Sequence, residues 1–436
     1  MDKKAIQICD ILQKNGHQAV LAGGAVRDMI MGIEPHDFDI ATSASPDIVA
    51  TLLEENQFKI KEVGKSFGVV LAKIEESEYE IATFRTESDY LDGRRPSKVV
   101  FSTIEEDAWR RDLTINALFF DPIAGRYIDY VGGREDIQKK IIQFVGNADE
   151  RINEDKLRML RAIRFAVKFD WSIEPETFIA IAAHASEISM ISPERIRQEF
   201  EKMFMCKRPS RMIDLLISTG LMEIILPEVA KLRGLRQDPR WHPEGDVLTH
   251  TKLVLEMLKD ESFELQCAAL FHDIGKADTF REENGIISAH GHAELGAEQA
   301  EGILKRLKFS NDQITHITAL VRDHMKVHSC MDMKTSTIRR LIAELHFPDL
   351  IRLAEADDAA SRKDFKAITF LKGKQIEFAS EVRLPTPIVK GADLIAMGLK
   401  PGPMFRDILG SVMNAQLEGR FITKEEGISL VKEMLE

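Results

Sequence analysis

Long hydrophobic runs are missing from this 436-residue chain; stretches such as "VVLAKI" and "CAALF" are far too short to cross a bilayer. The N-terminal "MDKKAIQICD" lacks the extended apolar centre of a signal peptide. Both absences lead to the expectation of a cytoplasmic protein without a membrane partner. Cysteine is scarce: Cys9, Cys206, Cys267 and Cys330 are widely spread and form no CxxC pair. Neither a disulfide framework nor a cysteine zinc site is thereby indicated, leaving buried free thiols as the reading. Positive charge is in deficit too. A net charge of -12 argues against a surface coated for indiscriminate nucleic-acid binding, yet leaves room for a local basic groove. Six basic residues fall between Arg151 and Lys168, and Arg195 to Arg211 is similarly weighted. Any RNA contact is expected there.

What is present describes a globular protein: 44% hydrophobic and 30% charged residues, in a chain long enough for two to four domains. Up to about residue 140, short β-prone runs ("AVLAGGAV", "FDIATS", "GVVLAKI", "YEIATFR", "INALFFDP") alternate with helical patterns, predicting an α+β head with a small mixed sheet. Beyond residue 150 the strand signals vanish and apolar residues recur at helical spacing. "ISPERIRQEFEKMF" opens on a Ser-Pro-Glu start suited to capping a helix. The clusters "RGLRQDPRWHPEGDV" and "RLPTPIVKGADL" mark boundaries near 235 and 385. Four segments are expected: head 1–140, helical neck and body 141–235, a third unit 236–385 and a helical tail 386–436. No internal repeat is present, and nothing fixes an oligomeric state.

Chemistry concentrates first in "LAGGAVRDMIMGIEPHDFDIAT", residues 21–42. Asp37 and Asp39 stand two apart in a β-prone run, so both side chains should leave one strand face, roughly 7 Å apart along the backbone. Paired carboxylates of this kind hold hard divalent cations for in-line phosphoryl or nucleotidyl transfer. Gly23 and Gly24 would let backbone N–H groups approach phosphate oxygens, and Arg27 would add a forked donor. A bare DxD is common in solvated turns; the longer string GGxVRD, spacer, DxDIAT is far more demanding.

That stretch resembles the head of the class II tRNA nucleotidyltransferase and poly(A) polymerase family. Three further segments follow in family order: "YEIATFRTESDYLDGRRPSKVVF", "EEDAWRRDLTINALFFDP" with its RRD-x-T-x-NA motif, and "RINEDKLRMLRAIRF" with its EDxxR motif. The likeness extends through "ISPERIRQEFEKMF" to about residue 210. It implies a polymerase-β-like nucleotidyltransferase head, an all-α neck and body, and addition or repair of the 3′-terminal CCA of tRNA from CTP and ATP. On matching positions, Asp37 and Asp39 would bind Mg²⁺, and Gly24, Arg27 and Arg111 would hold the triphosphate and sugar. Asp112 of the RRD motif and Glu80 of "YEIATFR" both stand as candidates for a third carboxylate. The stretch "TESDYLDGRRPSK", whose loss in this family accompanies CC-only addition, is intact, so adenosine addition is expected.

Base choice without a template needs a donor and acceptor pair complementary to C and A, which offer an amino group beside a bare ring nitrogen; an acid beside an arginine provides it. Asp155 and Arg158, three apart and neighbours if helical, are the candidates. Arg161 and Arg164 continue the three-residue step. On an ideal helix Arg164 would end among Leu157, Leu160 and Val167, needing a phosphate or a buried carboxylate as acceptor.

A second constellation occupies residues 250–358. "LTHT", "ALFHDIGK", "AHGHAELGA", "VRDHM" and "EADDAA" resemble the HD phosphohydrolase domain. The resemblance implies His250, His272, Asp273 and Asp357 as core metal ligands and His292 and His324 as extra ones, with Asp358 an alternative to Asp357. Imidazoles mixed with carboxylates suit a transition metal or Mg²⁺, and an open position could activate water for phosphoester cleavage. His290, His316 and His328 are expected to be packing or capping residues. The tail "GADLIAMGLKPGPMFRDIL" resembles the segment following HD domains in the family; helix packing or tRNA support is its reading. The alternatives are an enzyme adding only the terminal A, a poly(A) polymerase, and an HD phosphodiesterase or phosphatase whose head merely binds RNA.

Overall fold

A computed structural model describes residues 2–61, 68–74, 77–90, 96–378 and 386–435, with the side chains of residues 86–99 outside that set. Two compact units result, Met1–Pro227 and Glu228–Glu436.

The first unit is built on a seven-stranded mixed sheet. Its strands are β1 (Ala19–Ala22), β2 (Asp39–Thr42), β3 (Lys59–Lys61), β4 (Val69–Ile74), β5 (Ser77–Thr83), β8 (Leu118–Asp121) and β9 (Arg126–Asp129), in the order β3-β4-β5-β2-β1-β8-β9. Between β5 and β8, β6 (Arg85–Tyr90) and β7 (Pro96–Phe101) pair as a separate antiparallel ribbon. The two strands carry the ends of the "TESDYLDGRRPSK" stretch; residues 91–95 and the side chains of 86–99 lie outside the described residues.

Period-two alternation decides what each sheet face carries. Val20, Ala22, Ala41 and Phe119 share one face with Phe84, and helix Ile104–Trp109 covers it through Ile104 and Ala108. That helix is fixed by a capping box between Thr103 and Glu106. Helix Lys3–Lys14 buries Ala5, Ile8, Cys9, Ile11 and Leu12, and packs against β1. Helix Pro46–Glu55 starts with Ser45 as cap and Pro46 in its first turn.

The neck is helical, with one exception. Two-residue strands β10 (Ile141–Ile142) and β11 (Ser172–Ile173) pair in parallel. The helix over the Ser-Pro-Glu sequence runs Pro193–Phe204, but the Ser192 side chain makes no capping hydrogen bond, so Pro193 and Glu194 in the first turn mark that start.

Among its described residues the second unit is helical apart from a short hairpin of β12 (Arg281–Glu283) and β13 (Ile286–Ser288), a departure from the all-helical expectation. Helices Val247–Met257, Phe263–Phe271, His292–Arg306, Asn311–His328 and Phe347–Ala360 surround its centre. The C-terminal helices Gly391–Ala396, Pro403–Leu417 and Lys424–Leu435 close a small core of their own around Leu394, Val412, Phe421 and Val431. All four cysteines are buried, outside any disulfide. Among the described residues no helix is long and apolar enough to cross a membrane.

Candidate functional site

In the head, β1 ends at Ala22 and the chain turns at Gly23, whose φ of 69° suits glycine. A side chain here would come within 3.0 Å of the Arg111 Nη1, so the absence of a Cβ lets that guanidinium lie against the turn. Arg111 is oriented by acceptors on both sides. Nη1 donates to the Asn116 carbonyl at 3.1 Å, while Nε and Nη2 donate to Asp107 Oδ2 at 3.2 and 3.0 Å. Its planar group also lies 4.9 Å from the centroid of Phe119.

The strand β2 begins only at Asp39; Asp37 lies in the segment approaching it. Antiparallel pairing sets Asp39 opposite Ala22, and parallel pairing sets Ile40 opposite Ile81. That register puts Glu80 on the same sheet face as Asp39. Asp37, Asp39 and Glu80 are all exposed. Asp39 is nonetheless pushed above the ordinary carboxylate range by desolvation from the surrounding protein, against the pull of Arg111, and the charge of Asp37 adds to the rise. Glu80 rises for the same first reason, with Asp39 adding to it. Carboxylates that raise one another in this way are a face short of positive charge.

Asp112 is committed elsewhere. Its Oδ2 accepts from Arg161 Nε and Nη2, both at 2.6 Å, and its Oδ1 accepts from the Leu113 N–H at 2.8 Å. Burial works against its charge, but Arg161 and that N–H more than compensate, holding it down at about 2. Arg27 also points inward: 4% exposed, it donates to Asp28 and, at 2.6 Å, to Asn116 Oδ1. Its guanidinium lies 5.2 and 5.0 Å from the ring centroids of Phe165 and Phe169. Gly24 opens the short helix Gly24–Ile30 that carries Arg27.

The neck corrects the expected helix. Helix Ala148–Glu154 ends at Asp155, whose extended backbone (φ -150°, ψ 108°) breaks the chain before helix Arg158–Phe169 begins. Asp155 and Arg158 therefore do not share a helix, and their side chains turn to other partners, although the Arg158 N–H donates to the Asp155 carbonyl at 3.0 Å. Both Asp155 oxygens accept from Arg195, at 3.1 and 2.6 Å, and Oδ1 also accepts from the Leu157 N–H. Arg158 is buried, donating to Glu154 and to the carbonyls of Arg151 and Arg110. Arg164 meets the carboxylate option foreseen for it, since Glu199, itself 2% exposed, accepts from its Nε at 2.5 Å. Of the six cations between Arg151 and Lys168, five are engaged with protein acceptors; Lys168 is exposed.

In the second unit the HD histidines converge. His272, His292 and His324 each lie 2.7–2.8 Å through Nδ1 from the carbonyl three residues earlier, of Ala269, Ala289 and Val321. Those contacts place the proton on Nδ1 and turn the Nε2 lone pairs inward. His292 and His324 thus face one another through Nε2 at 3.2 Å, and His250 and His272 do so at 3.3 Å. Between the pairs sits Asp273. Its Oδ2 lies 3.3 Å from His272 and 3.9 Å from His250, its Oδ1 3.4 Å from His292 and 3.9 Å from His324. Asp357 Oδ1 approaches His250 Nε2 at 3.1 Å, whereas both oxygens of Asp358 are buried without a hydrogen-bond partner. Asp357, not Asp358, belongs to the cluster.

Lone pairs converging at such distances repel unless a proton or cation lies among them, so the donor set fits a divalent metal. Crowding shows in the charges. Burial and the neighbouring His272 and His292 push His324 down to about 3. Burial works against protonation of His250, yet its bonds to Asp357 and Glu244 lift it to about 9. Gly275 of the HDxGK string makes the approach possible: a Cβ there would lie 2.2 Å from the His292 carbonyl. An adjoining cavity of 580 Å³ is lined by Trp241, His242, Lys276, His290, His328 and Arg362 among others.

Sequence reasoning missed several members. His328, expected to be a packing residue, approaches Asp357 at 3.3 Å, and His290, expected likewise, is an exposed cavity residue. His316 pairs with Asp349 outside the cluster. Asp107, Arg195, Glu199 and Glu244 act through partners. Asp107 could have been found from its i+3 and i+4 relation to Arg110 and Arg111. Arg195, 40 residues from Asp155, carries no such local signal.

The sequence matches three family models: "Poly A polymerase head domain" over residues 19–143, "Probable RNA and SrmB- binding site of polymerase A" over 170–232, and "HD domain" over 246–363. It is 46% identical over 221 residues to the CCA-adding enzyme of Bacillus subtilis, an alignment covering 50% of this chain and 54% of that protein. The chain thus spans about half the length of the first curated relatives it matches. With the CCA-adding enzyme of Ligilactobacillus salivarius it is 31% identical over 441 residues, covering 100% of this chain and 97% of the relative. Among solved structures, that of the Bacillus stearothermophilus CCA-adding enzyme in complex with CTP superposes with a TM-score of 0.75 at 26% identity, covering 100% of this chain and 98% of that one. The Ligilactobacillus salivarius relative, 31% identical and matched along 97% of its length, settles the membership: the chain belongs to the CCA-adding enzyme family.

Proposed function

We propose that this protein builds or repairs the 3′-terminal CCA of tRNA, using CTP and ATP and releasing pyrophosphate. The observation carrying the reading is the exposed face of Asp37, Asp39 and Glu80 beside the oriented Arg111, in a chain that aligns end to end with a CCA-adding enzyme. Asp37, Asp39 and Glu80 are the residues that would hold Mg²⁺; Glu80 is preferred to Asp112 as third carboxylate because Asp112 already neutralises Arg161. Bound there, Mg²⁺ supplies charge neutralisation to the triphosphate and acidity to the attacking hydroxyl. The tRNA 3′ oxygen forms the new bond to the α-phosphate as the bond to pyrophosphate breaks.

Arg111, fixed by Asp107, faces the phosphates, and Gly24 gives the backbone close access. Arg27 acts from inside the wall, holding the turn through Asn116. Asp155 and Arg158 read the incoming base from opposite sides of the helix break, Asp155 held by Arg195; Arg161 and Arg164 support that wall through Asp112 and Glu199. In this reading the head spans 1–140, the neck and body 141–235, the HD unit 236–385 and the tail 386–436. In this reading the protein works in the cytoplasm.

The test uses tRNA transcripts ending before CCA, after C and after CC, with CTP and ATP supplied separately and together, and Asp37→Ala as control. Full CCA on the shortest transcript is expected. Addition of A alone to the CC end, or an extended A tail, would replace this reading with that of an A-adding enzyme or a poly(A) polymerase.

The converging Nε2 groups favour a second activity. His250, His272, Asp273, His292, His324 and Asp357 would hold a divalent metal supplying an activated water, and phosphoester hydrolysis follows from that centre beside the cavity. Hydrolysis of a 2′,3′-cyclic phosphate that survives Asp37→Ala and is lost in Asp273→Ala is the expected pattern.

A further inference from the structure

Three of the HD histidines are oriented by main-chain carbonyls. His250 is not. It sits inside helix Val247–Met257, and its Nδ1 meets a side chain, Glu244 Oε1, at 2.7 Å. The same oxygen lies 2.9 Å from His242 Nδ1. Glu244 Oε2 is buried with no hydrogen-bond partner, so the carboxylate is held in place by these two imidazoles. His242, Glu244 and His250 also satisfy the distances of a metal-binding trio in their own right.

We propose that Glu244 is a positioning residue that fixes the tautomer and ring direction of His250 toward the HD metal, and is not itself a ligand. The inference rests on the reading of the HD centre as a metal site. His250 Nε2 already points at the cluster, 3.1 Å from Asp357 Oδ1 and 3.3 Å from His272 Nε2. Were the trio to hold its own ion, His250 would bind through Nδ1 as well and would have to lose both ring protons, which a neutral imidazole does not do at ordinary pH. With Nδ1–H donated to Glu244, one nitrogen orients and the other ligates, the arrangement in which a carboxylate behind a metal-bound histidine raises its basicity. His250 is therefore the one ligand among the four whose orientation can be released by changing a side chain. The segment carrying Glu244 also brings Trp241 and His242 to the cavity wall. One carboxylate thus ties that wall to the metal cluster.

Full-length protein stripped of metal, in wild-type, Glu244→Ala, Glu244→Gln and His242→Ala forms, would be titrated with Mn²⁺ and Ni²⁺ by calorimetry, with circular dichroism confirming the fold. Glu244→Ala is expected to weaken binding about 10- to 100-fold at unchanged stoichiometry. Glu244→Gln, whose amide oxygen still accepts from Nδ1–H, should recover most of that loss, and His242→Ala should stay within a few-fold of wild type. Equal affinity in Glu244→Ala and wild type overturns the positioning role. Loss of one ion from the stoichiometry, in both Glu244 variants, overturns it in favour of direct ligation. A wild-type protein that binds neither ion would instead sink the metal reading itself.

Discussion

In the head, Asp39 and Glu80 stand open to solvent on a sheet face with Asp37 exposed just before the strand and Arg111 alongside, while Arg161 and Arg164 of the neck are neutralised by protein carboxylates. In the HD unit, Asp273 is 2% exposed and His250 fully buried, and each histidine is aimed by a fixed acceptor behind it. The first centre is an unfinished charge distribution, which in the proposed function substrate and metal would complete together. The second is prepared before anything binds, its desolvation already met by the fold. The open plan suits the nucleotide and RNA end of the proposed transfer; the closed plan suits the metal proposed for the HD cluster.

The largest effect expected from breaking this contrast is at the open face. Asp39→Ala should lower nucleotide incorporation by roughly 10³-fold, the scale of several kcal/mol of lost transition-state stabilisation. Divalent metal binding by the HD unit should be unchanged, as read by calorimetry on the same sample. The converse variant, Asp273→Asn, should abolish tight metal retention after dialysis, measured by elemental analysis, while incorporation with Mg²⁺ stays within about twofold, since the two centres share no residue. Loss of incorporation there would show the plans to be coupled.

Smaller effects test how the head's walls are neutralised. Glu199→Ala leaves Arg164 unpaired on a buried helix face and should cost about 3–5 kcal/mol in denaturant unfolding of the first unit. Asp112 gives a pH signature. Its carboxyl, ordinarily near 3.8, is held at about 2 in the fold, so its contribution is complete above about pH 4 and disappears as pH falls through 2. Asp112→Asn should therefore lie about 2 kcal/mol below wild type at pH 5, with the gap closing toward pH 2.

Legibility followed the same contrast. The converging HD residues were readable because they lie in five short motifs, His272 and Asp273 sharing one, and their convergence needs only five helices around one centre. In the head, GGxVRD and DxDIAT announced the turn and the carboxylates, yet the sequence left Glu80 and Asp112 equivalent. The distinction lies in the parallel register of β2 and β5, which no local pattern encodes. The helix break at Asp155 was hidden for a similar reason: "NEDKL" contains neither Gly nor Pro, and the break is held by Arg195 far along the chain. The burial of Arg27, read only as a forked phosphate donor, was not visible because the aromatic rings that enclose it come some 140 residues later.

That enclosure bears on modularity. Severing the chain near residue 140 would strip Phe165 and Phe169 from Arg27, remove Arg161 from Asp112, and delete both strands of the β10–β11 pair. The recurring head segment is therefore an evolutionary unit of sequence but not an autonomous folding unit. Transplanting it into another protein would require carrying the neck helix Arg158–Phe169 along as an internal scaffold.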